Sequence, residues 1–283
     1  MKHISYISLV VVLLSICGCE SAESEVVLPQ SGTTTITVGL QQTKTSLGAS
    51  ENGVRKVLWS SGDRIVANGE VSNEAILAPE NSGVATFNFG SELTYPLTIL
   101  YPASFYKDAT TVTLPAIQEA GEASFATNTL PMATSVATKG DIIKLSHLAG
   151  VIHLRLKAEK GAKPTRNNEV RKIEFRGNDK EQVSGDFTID YNRVTLTPTS
   201  QKQSDKTVAA RVAGTLTLEE YSDIFIVVPA QEYKSGFTVR VINSAGHYMD
   251  KKKSSGVTIA NGDILKMPEM EYIPTGTLIN AEL

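Results

Sequence analysis

The sequence predicts an all-β protein of the sandwich or barrel kind. Short runs rich in Val, Ile, Thr and Phe recur along the whole chain, and Gly, Pro, Asn or Asp separates each run from the next. Runs at this spacing are typical of β-sandwiches and β-barrels. No apolar repeat of about 3.6 residues lasts long enough for an ordinary helix. The best helix candidate is short, from Leu216 to Tyr221.

The chain starts with an apolar segment that is too short to cross a bilayer. Residues 1–3 are weakly basic and residues 4–16 are almost wholly apolar, whereas a membrane-spanning helix needs about 20 residues. This pattern is typical of a secretory signal peptide. The sequence "ICGC" at residues 16–19 is typical of a bacterial lipobox. We therefore expect residues 1–18 to be removed and Cys19 to carry acyl chains such as palmitate.

The cut is expected before Cys19 rather than before Cys17, because small Gly18 instead of bulky Ile16 then enters the protease pocket. A metal site needs about four ligands, and the chain has no third cysteine. Loss of Cys17 and acylation of Cys19 leave no thiol for a disulfide, so burial of the core must hold the fold. Two or more acyl chains anchor a protein stably in a membrane.

A flexible tether and a first strand are expected after the lipidated cysteine. Residues 19–32 are small, acidic and polar, as in flexible segments. In residues 33–40, "TTTITVGL", Ile36, Val38 and Leu40 alternate with Thr and Gly, which predicts a half-buried strand. Further strands are expected at residues 54–59, 64–67, 83–90, 97–102, 109–115, 141–145, 150–157, 170–177, 185–190, 192–198, 223–229, 236–243 and 256–268.

Faint internal repeats favour two domains. Three similar segments, "GDRI", "GDII" and "GDIL", each place Gly-Asp at a turn before a strand, at residues 62–65, 140–143 and 262–265. We expect an N-terminal β-sandwich domain over residues 33–145 and a C-terminal β-sandwich domain with a short tail over residues 146–283. A chain of this length is sufficient for two cores.

The composition argues against nucleic acid and glycan as partners. Lys and Arg number 27 against 30 Asp and Glu, without a basic stripe, so nucleic acid is not expected. The run "KKK" at residues 251–253 is interpreted as a solvated turn. Aromatic residues make up only 6% of the chain. The single tryptophan, Trp59, is expected to pack in the first core rather than to stack on a sugar.

No motif for catalysis, a metal or a cofactor is found in the sequence. His147 and His153 lie near the start of one strand and within it, and we expect polar structural roles for both. No H-x-x-x-H, G-x-S-x-G or Gly-rich phosphate loop occurs, and residues 179–186 lack the spacing of a calcium loop. The chain is interpreted as a non-enzyme without a cofactor or metal. A hydrolase with paired acids is kept as a third alternative, since one sequence does not mark such pairs.

Several blocks resemble, in their order, the fimbrillin-like lipoproteins of Bacteroides-type bacteria. The blocks are "TKTSLG", "VLWSSGDRIVANG", "VTLPAIQEAGEASF", "LSHLAGVIHLRLK", "VRKIEFRGNDKEQVSGDF" and "IFIVVPAQEYKSGFTVRV". The resemblance implies a type V pilin subunit with two transthyretin-like β-sandwich domains, exported as a surface-exposed lipoprotein of the outer membrane. It also implies that a trypsin-like protease cuts after a basic residue beyond the first strand. Lys44 stands at the matching position, and Arg55 is the alternative.

The resemblance further implies that a strand from another pilin subunit fills the groove left by the first strand. Loss of residues 33–40 would uncover an apolar surface and unpair the backbone of the adjoining strand, and such an edge recruits a partner strand. The end of the chain offers a donor, "TLINAEL", with Ile279, Ala281 and Leu283 on one face. Head-to-tail insertion of this kind builds a filament.

The rival hypothesis is a monomeric surface lipoprotein that binds glycan or protein ligands through its loops. A pilin subunit predicts a single tryptic nick near Lys44 or Arg55, followed by oligomers. A nicked chain that keeps residues 33–40 and stays monomeric would favour the rival. A ligand on a host or bacterial surface would be a further partner under either hypothesis.

Overall fold

Strands make up nearly all the regular structure of the protein. The computed structural model describes residues 33–40, 58–78, 81–121, 124–125, 128–159 and 169–278 of the 283-residue chain. Among these residues no α-helix occurs, and two single 3-10 turns span Ala103–Phe105 and Gln203–Lys206. The prediction of an all-β fold is confirmed.

Twelve strands lie before residue 148. They are β1 (Thr34–Leu40), β2 (Val66–Ala67), β3 (Glu70–Val71), β4 (Ile76–Ala78), β5 (Asn81–Phe89), β6 (Leu97–Tyr101), β7 (Tyr106–Asp108), β8 (Thr111–Leu114), β9 (Ile117–Gly121), β10 (Ser124–Phe125), β11 (Met132–Val136) and β12 (Ile143–His147).

Thirteen strands follow. They are β13 (Ala149–Ala158), β14 (Glu169–Gly177), β15 (Gly185–Asp190), β16 (Thr195–Pro198), β17 (Val208–Thr217), β18 (Ser222–Pro229), β19 (Gln231–Tyr233), β20 (Phe237–Asn243), β21 (His247–Lys253), β22 (Val257–Ile259), β23 (Ile264–Lys266), β24 (Met270–Tyr272) and β25 (Gly276–Thr277).

The first sheet encloses the first core. Its strand order is β3-β2-β6-β11-β12-β1-β5-β4. The strands at its two ends, β3 and β4, are separated in the chain only by residues 72–75, so the sheet must curl until its ends approach each other. Apolar side chains on its inner face form one cluster, which includes Trp59, Phe87, Phe89, Leu97, Ile99 and Leu145.

Two further sheets face each other across the second core, as in a sandwich. One has the order β10-β9-β17-β14-β20-β21-β25, and the other has β18-β13-β23, with β24 also paired to β13. Inward side chains of both sheets share one buried cluster, which includes Ile152, Leu154, Ile173, Phe175, Ile226, Val239 and Val241. Along β14, the buried Ile173 and Phe175 alternate with the less buried Lys172, Glu174 and Arg176, as a sheet with one packed face requires.

Strands from the two halves of the sequence also pair with each other. A four-stranded sheet has the order β16-β15-β8-β7, and β9 pairs parallel with β17. The proposed boundary between residues 145 and 146 falls within β12, while β8 and β9 pair with β15 and β17, which lie beyond it. The division into two domains stays a prediction.

The two halves repeat one arrangement of strands. β1 lies between antiparallel β5 and parallel β12, and β13 lies between antiparallel β18 and parallel β23. The segments "GDII" and "GDIL" lead into β12 and β23, respectively. In each half, the first strand is therefore paired with a strand that follows a Gly-Asp turn.

Some local predictions are wrong. The single strand expected over residues 256–268 is two strands, β22 and β23, joined by a turn. The helix candidate at residues 216–221 is the end of β17 and a short connection to β18; a six-residue segment is too short for a stable helix, and Leu218 is fully buried in the second core. The "KKK" run is not a turn but the end of β21, where Lys251 pairs with Val239. Lysines on such a strand oppose the addition of a further strand.

Candidate functional site

β1 lies inside its sheet, with a strand on each side. It pairs antiparallel with β5 from Thr34 to Gly39 and parallel with β12 from Val38 to Leu40. Beyond these neighbours the sheet continues to β4 on one side and to β11 on the other. Removal of β1 would thus leave a slot between two strands, where sequence reasoning expected one adjoining strand. We call this slot the β1 groove.

The side chains of β1 alternate between the core and the outer face. Ile36, Val38 and Leu40 are 5%, 0% and 7% exposed and belong to the first core, whereas Thr35 is exposed. The predicted alternation therefore places these three side chains in the core. Their displacement from it stays a prediction.

Trp59 ties β1 to the core by a side-chain hydrogen bond. Its Nε1 donates to the carbonyl oxygen of Val38 at 3.2 Å. Its ring is only 3% exposed and stands edge-on to Phe87 and Tyr101, with centroid distances of 5.0 and 4.9 Å. The expectation that Trp59 packs in the first core is confirmed, but the hydrogen bond could not be found from sequence because it joins residues 21 positions apart.

A buried carboxylate holds the turn that positions Trp59. Asp63 accepts hydrogen bonds from the backbone N–H of Ser60 at 2.7 Å and from the hydroxyl of Tyr101 at 3.0 Å. Burial raises the pKa of Asp63, and these two hydrogen bonds oppose the rise. Burial and the charge of Asp63 also raise the pKa of Tyr101. Asp63 thereby joins its own turn to Tyr101 of β6, next to the ring of Trp59 that contacts β1.

Gly39 leaves room for a side chain that covers β1 from outside. A Cβ atom at Gly39 would lie 3.2 Å from Cγ2 of Ile142, which is closer than ordinary van der Waals contact, and 4.0 Å from Cγ2 of Val84. Gly39 is buried, although Ile142 is 51% exposed. Gly39 is not among the site residues predicted from the sequence. A glycine inside a strand was the signal, since it often marks a close approach.

The other predicted site residues lie outside the described part of the chain. These are the lipidation site Cys19, the cleavage candidates Lys44 and Arg55, and the donor residues Ile279, Ala281 and Leu283. All of these assignments stay predictions.

The segment just before the donor residues lies on the edge of the second sheet. β25 pairs with the first two residues of β21. The backbone N–H of Thr275 donates to Tyr248 at 2.8 Å, and that of Leu278 donates to Gly246 at 2.9 Å. A strand that reached another subunit from here would start from this edge.

Both histidines near the boundary of the halves are buried. His147 is 3% exposed and His153 is 8% exposed. Nε2 of His153 lies 2.6 Å from Oδ1 of Asp223, and its ring stacks on Phe225 with a centroid distance of 4.4 Å. This arrangement fits a structural role for His153.

A polar cleft lies on the second half of the chain, formed by β15 and the loop that follows β16. Its volume is about 550 Å³, and it is lined by Gly185, Asp186, Thr199, Ser200, Gln201, Lys202 and Asp205. Hydrogen bonds from Lys107 and Thr113 lower the pKa of the Asp186 carboxyl. No aromatic ring is among these lining residues, so the cleft offers no stacking surface for a sugar.

Metal-binding clusters and membrane-spanning helices are both absent from the described ranges. Over the ranges described above, no three or more His, Cys, Asp or Glu side chains form a group that could hold a metal ion. Nor does any helix in these ranges have the length and apolar character needed to span a bilayer.

Comparison with known proteins finds similarity only among solved structures. A protein ascribed to cell adhesion in Bacteroides ovatus is 13% identical, with a TM-score of 0.49, and the match covers 88% of this chain and 99% of that one. A similar protein from Bacteroides uniformis is 14% identical, with a TM-score of 0.45 and coverages of 79% and 90%. No protein-family model matches the sequence, and no curated protein does.

A tip fimbrial protein is also among the similar structures. Mfa3 from Porphyromonas gingivalis, with a C-terminal truncation, is 10% identical, with a TM-score of 0.29 and coverages of 78% and 81%. These neighbours are described as cell adhesion and fimbrial proteins. With TM-scores below 0.5, they are too distant to assign a role to this chain.

Proposed function

We propose that this chain is a structural subunit of a cell-surface fimbria, exported as a lipoprotein precursor and polymerised by strand exchange after proteolytic loss of β1. The observation that carries the proposal is the place of β1, an interior strand of the first sheet that precedes every other described strand. A cut between β1 and the rest of the chain would therefore sever no other described strand. The vacancy would have a strand on each side and an apolar floor.

Energetics favour refilling of the β1 groove. Burial of one aliphatic side chain contributes about 1.5–3 kcal/mol, so Ile36, Val38 and Leu40 together contribute about 4.5–9 kcal/mol. The backbone groups of β5 and β12 that face β1 would also lose their partners, and unpaired polar groups in a sheet are costly. An incoming strand restores both the apolar burial and the backbone hydrogen bonds, which supports strand exchange as the means of assembly.

Limited trypsin digestion tests the cut. We expect one early nick of the full-length protein at Lys44 or Arg55, followed by oligomers on size-exclusion chromatography, with the new termini read by mass spectrometry. Lys44→Gln and the double variant Arg55→Gln/Lys56→Gln are matched, because each removes one candidate site without adding charge; trypsin also cuts after Lys56, next to Arg55. The variant that blocks the nick should also block oligomers. A nicked chain that keeps β1 and remains monomeric would count against the proposal.

Metabolic labelling with palmitate tests the anchor. The Cys19→Ala variant should lose the label and remain unprocessed, while the matched Cys17→Ala variant should be labelled like the parent chain. Equal labelling of both variants would refute lipidation at Cys19.

A monomeric surface lipoprotein that binds a ligand is the second candidate. The polar cleft of about 550 Å³ beside Asp186 and Asp205 favours it, because a surface cavity with charged and hydroxyl groups can bind a polar ligand. The digestion experiment separates the two candidates, since a binding module has no need to lose β1.

A further inference from the structure

We propose that the β1 groove accepts a strand from a different subunit and rejects the tail of a second copy of this chain. This inference rests on the proposed strand exchange and names the partner for it. Three features of the groove define the strand that fits: the core positions of Ile36, Val38 and Leu40, the indole of Trp59, and the close approach at Gly39.

Trp59 fixes which residues of an incoming strand face the core. Its buried Nε1–H needs a carbonyl where Val38 now supplies one. Carbonyl groups alternate in direction along a strand, and side chains alternate with the same period of two. A slip by one residue would therefore turn the carbonyl away from Trp59 and also move every apolar side chain out of the core.

The tail of this chain fits the apolar positions but fails at the close approach. When Ile279 is aligned with Ile36, Leu283 takes the place of Leu40 and Glu282 takes the place of Gly39. There even a Cβ atom would lie 3.2 Å from Cγ2 of Ile142. A glutamate would have to push that side chain aside and bring its own charge to the buried backbone.

The tail also underfills the core. The alignment places Ala281 in the position of Val38, which is 0% exposed, so two methyl groups are missing from a closely packed site. Reversal of the tail does not remove the conflict, because Asn280 then takes the place of Gly39 and Ala281 still replaces Val38. A strand that fits the β1 groove has large apolar residues at the positions of Ile36 and Leu40 and Val or Ile at the position of Val38. It has Gly at the position of Gly39.

Peptide exchange into the nicked protein tests the inference. A full-length variant with one engineered protease site within residues 47–53 is cut, so that the choice between Lys44 and Arg55 does not matter. Amidated fluorescent peptides are then added, and binding is followed by anisotropy. Emission from Trp59, the only tryptophan of the chain, reports whether the indole has regained its environment.

Five peptides make the comparison. They are a copy of residues 34–40, the same copy with Gly39→Glu, a copy of the tail residues 277–283, the tail with Glu282→Gly, and the tail with Ala281→Val and Glu282→Gly together. The copy of β1 should exchange into the groove. The Gly39→Glu copy and the tail should each bind at least about tenfold more weakly, because Ile142 must move to admit a side chain at Gly39 and, in the tail, alanine underfills the site of Val38. The doubly substituted tail should regain most of the affinity.

The outcomes separate the two proposals. If the tail binds within about threefold of the β1 copy, the groove does not discriminate and the inference is overturned, while strand exchange stands. If the copy of β1 fails to enter, the groove does not open after the cut. Strand exchange is then refuted, and the inference goes with it.

Discussion

Replacement of Val38 by alanine should destabilise the first core far more than replacement of its neighbour Thr37. Val38 is 0% exposed and lies among the aromatic and aliphatic side chains of that core. Two methyl groups are lost, at about 0.8 kcal/mol each, and the cavity that remains adds to this loss. We expect the free energy of unfolding to fall by about 2–3 kcal/mol.

Urea denaturation monitored by tryptophan fluorescence measures this change. Trp59 donates its hydrogen bond to the residue that is changed, so its emission reports on the core around β1. With an m-value of about 2–3 kcal/mol per molar urea, the midpoint should fall by roughly 1 M. An unchanged m-value would show that stability, not the extent of unfolding, has changed.

Thr37→Ala is the matched control, because Thr37 lies on the outer face of the same strand and is half-buried. Its loss should be below about 1 kcal/mol, the range of β-strand propensity. If Val38→Ala costs less than about 0.5 kcal/mol, or no more than Thr37→Ala, β1 does not support the core as described. The estimate for refilling the groove would then fail too.

Three further predictions concern other hydrogen bonds. Trp59→Phe keeps most of the ring but removes its N–H donor, and should lower the free energy of unfolding by about 1–2 kcal/mol in the same urea assay; no loss would refute the bond to β1. Gln118→Ala removes the side chain that hydrogen-bonds to the backbone N–H and C=O of Val227, at 2.8 and 2.9 Å. It should lower the free energy of unfolding by about 2–4 kcal/mol and, with it, the thermal midpoint. Arg240 donates to both carboxylate oxygens of Asp250 at 2.7 and 2.8 Å and so lowers the pKa of Asp250. Because the folded-state pKa of Asp250 lies below the unfolded value of about 3.9, the ion pair stabilises the protein fully above that pH, and this stabilisation is lost as the pH falls through the folded-state pKa. Asp250→Asn should therefore flatten the acid limb of a stability–pH profile. An unaltered acid limb would exclude the effect.

Strands with clear alternation could be predicted from the sequence, and strands without it could not. β1, β14 and β20 carry branched or aromatic side chains at every second position, and the sequence placed each of them nearly where it lies. In β17, Ala and Gly interrupt the Val and Thr residues, and β21 ends in three lysines, so neither shows the clear alternation of strand-favouring residues that marks the others. Both become strands because β14 and β20 offer them backbone partners from distant parts of the chain.

In the candidate site, too, local features could be predicted from the sequence and long-range contacts could not. Alternation alone placed Ile36, Val38 and Leu40 on one face, because period two is a local property of a strand. The parallel pairing of β1 with β12, the hydrogen bond from Trp59 and the crowding at Gly39 each join residues that are far apart in sequence. Such long-range contacts leave no periodic signal, so they could be seen only in the folded chain.

The repeated arrangement of β1 and β13 limits how many connections one molecule can accept. Each is flanked by an antiparallel and a parallel neighbour, so the fold contains two sockets of the same design. β13 has described strands before and after it in the chain, and cannot depart without unravelling its surroundings. If strand exchange operates as proposed, the socket of β1 is the one of these two that could be vacated. Each subunit would then have one acceptor of this design, and the assembly would be linear and unbranched.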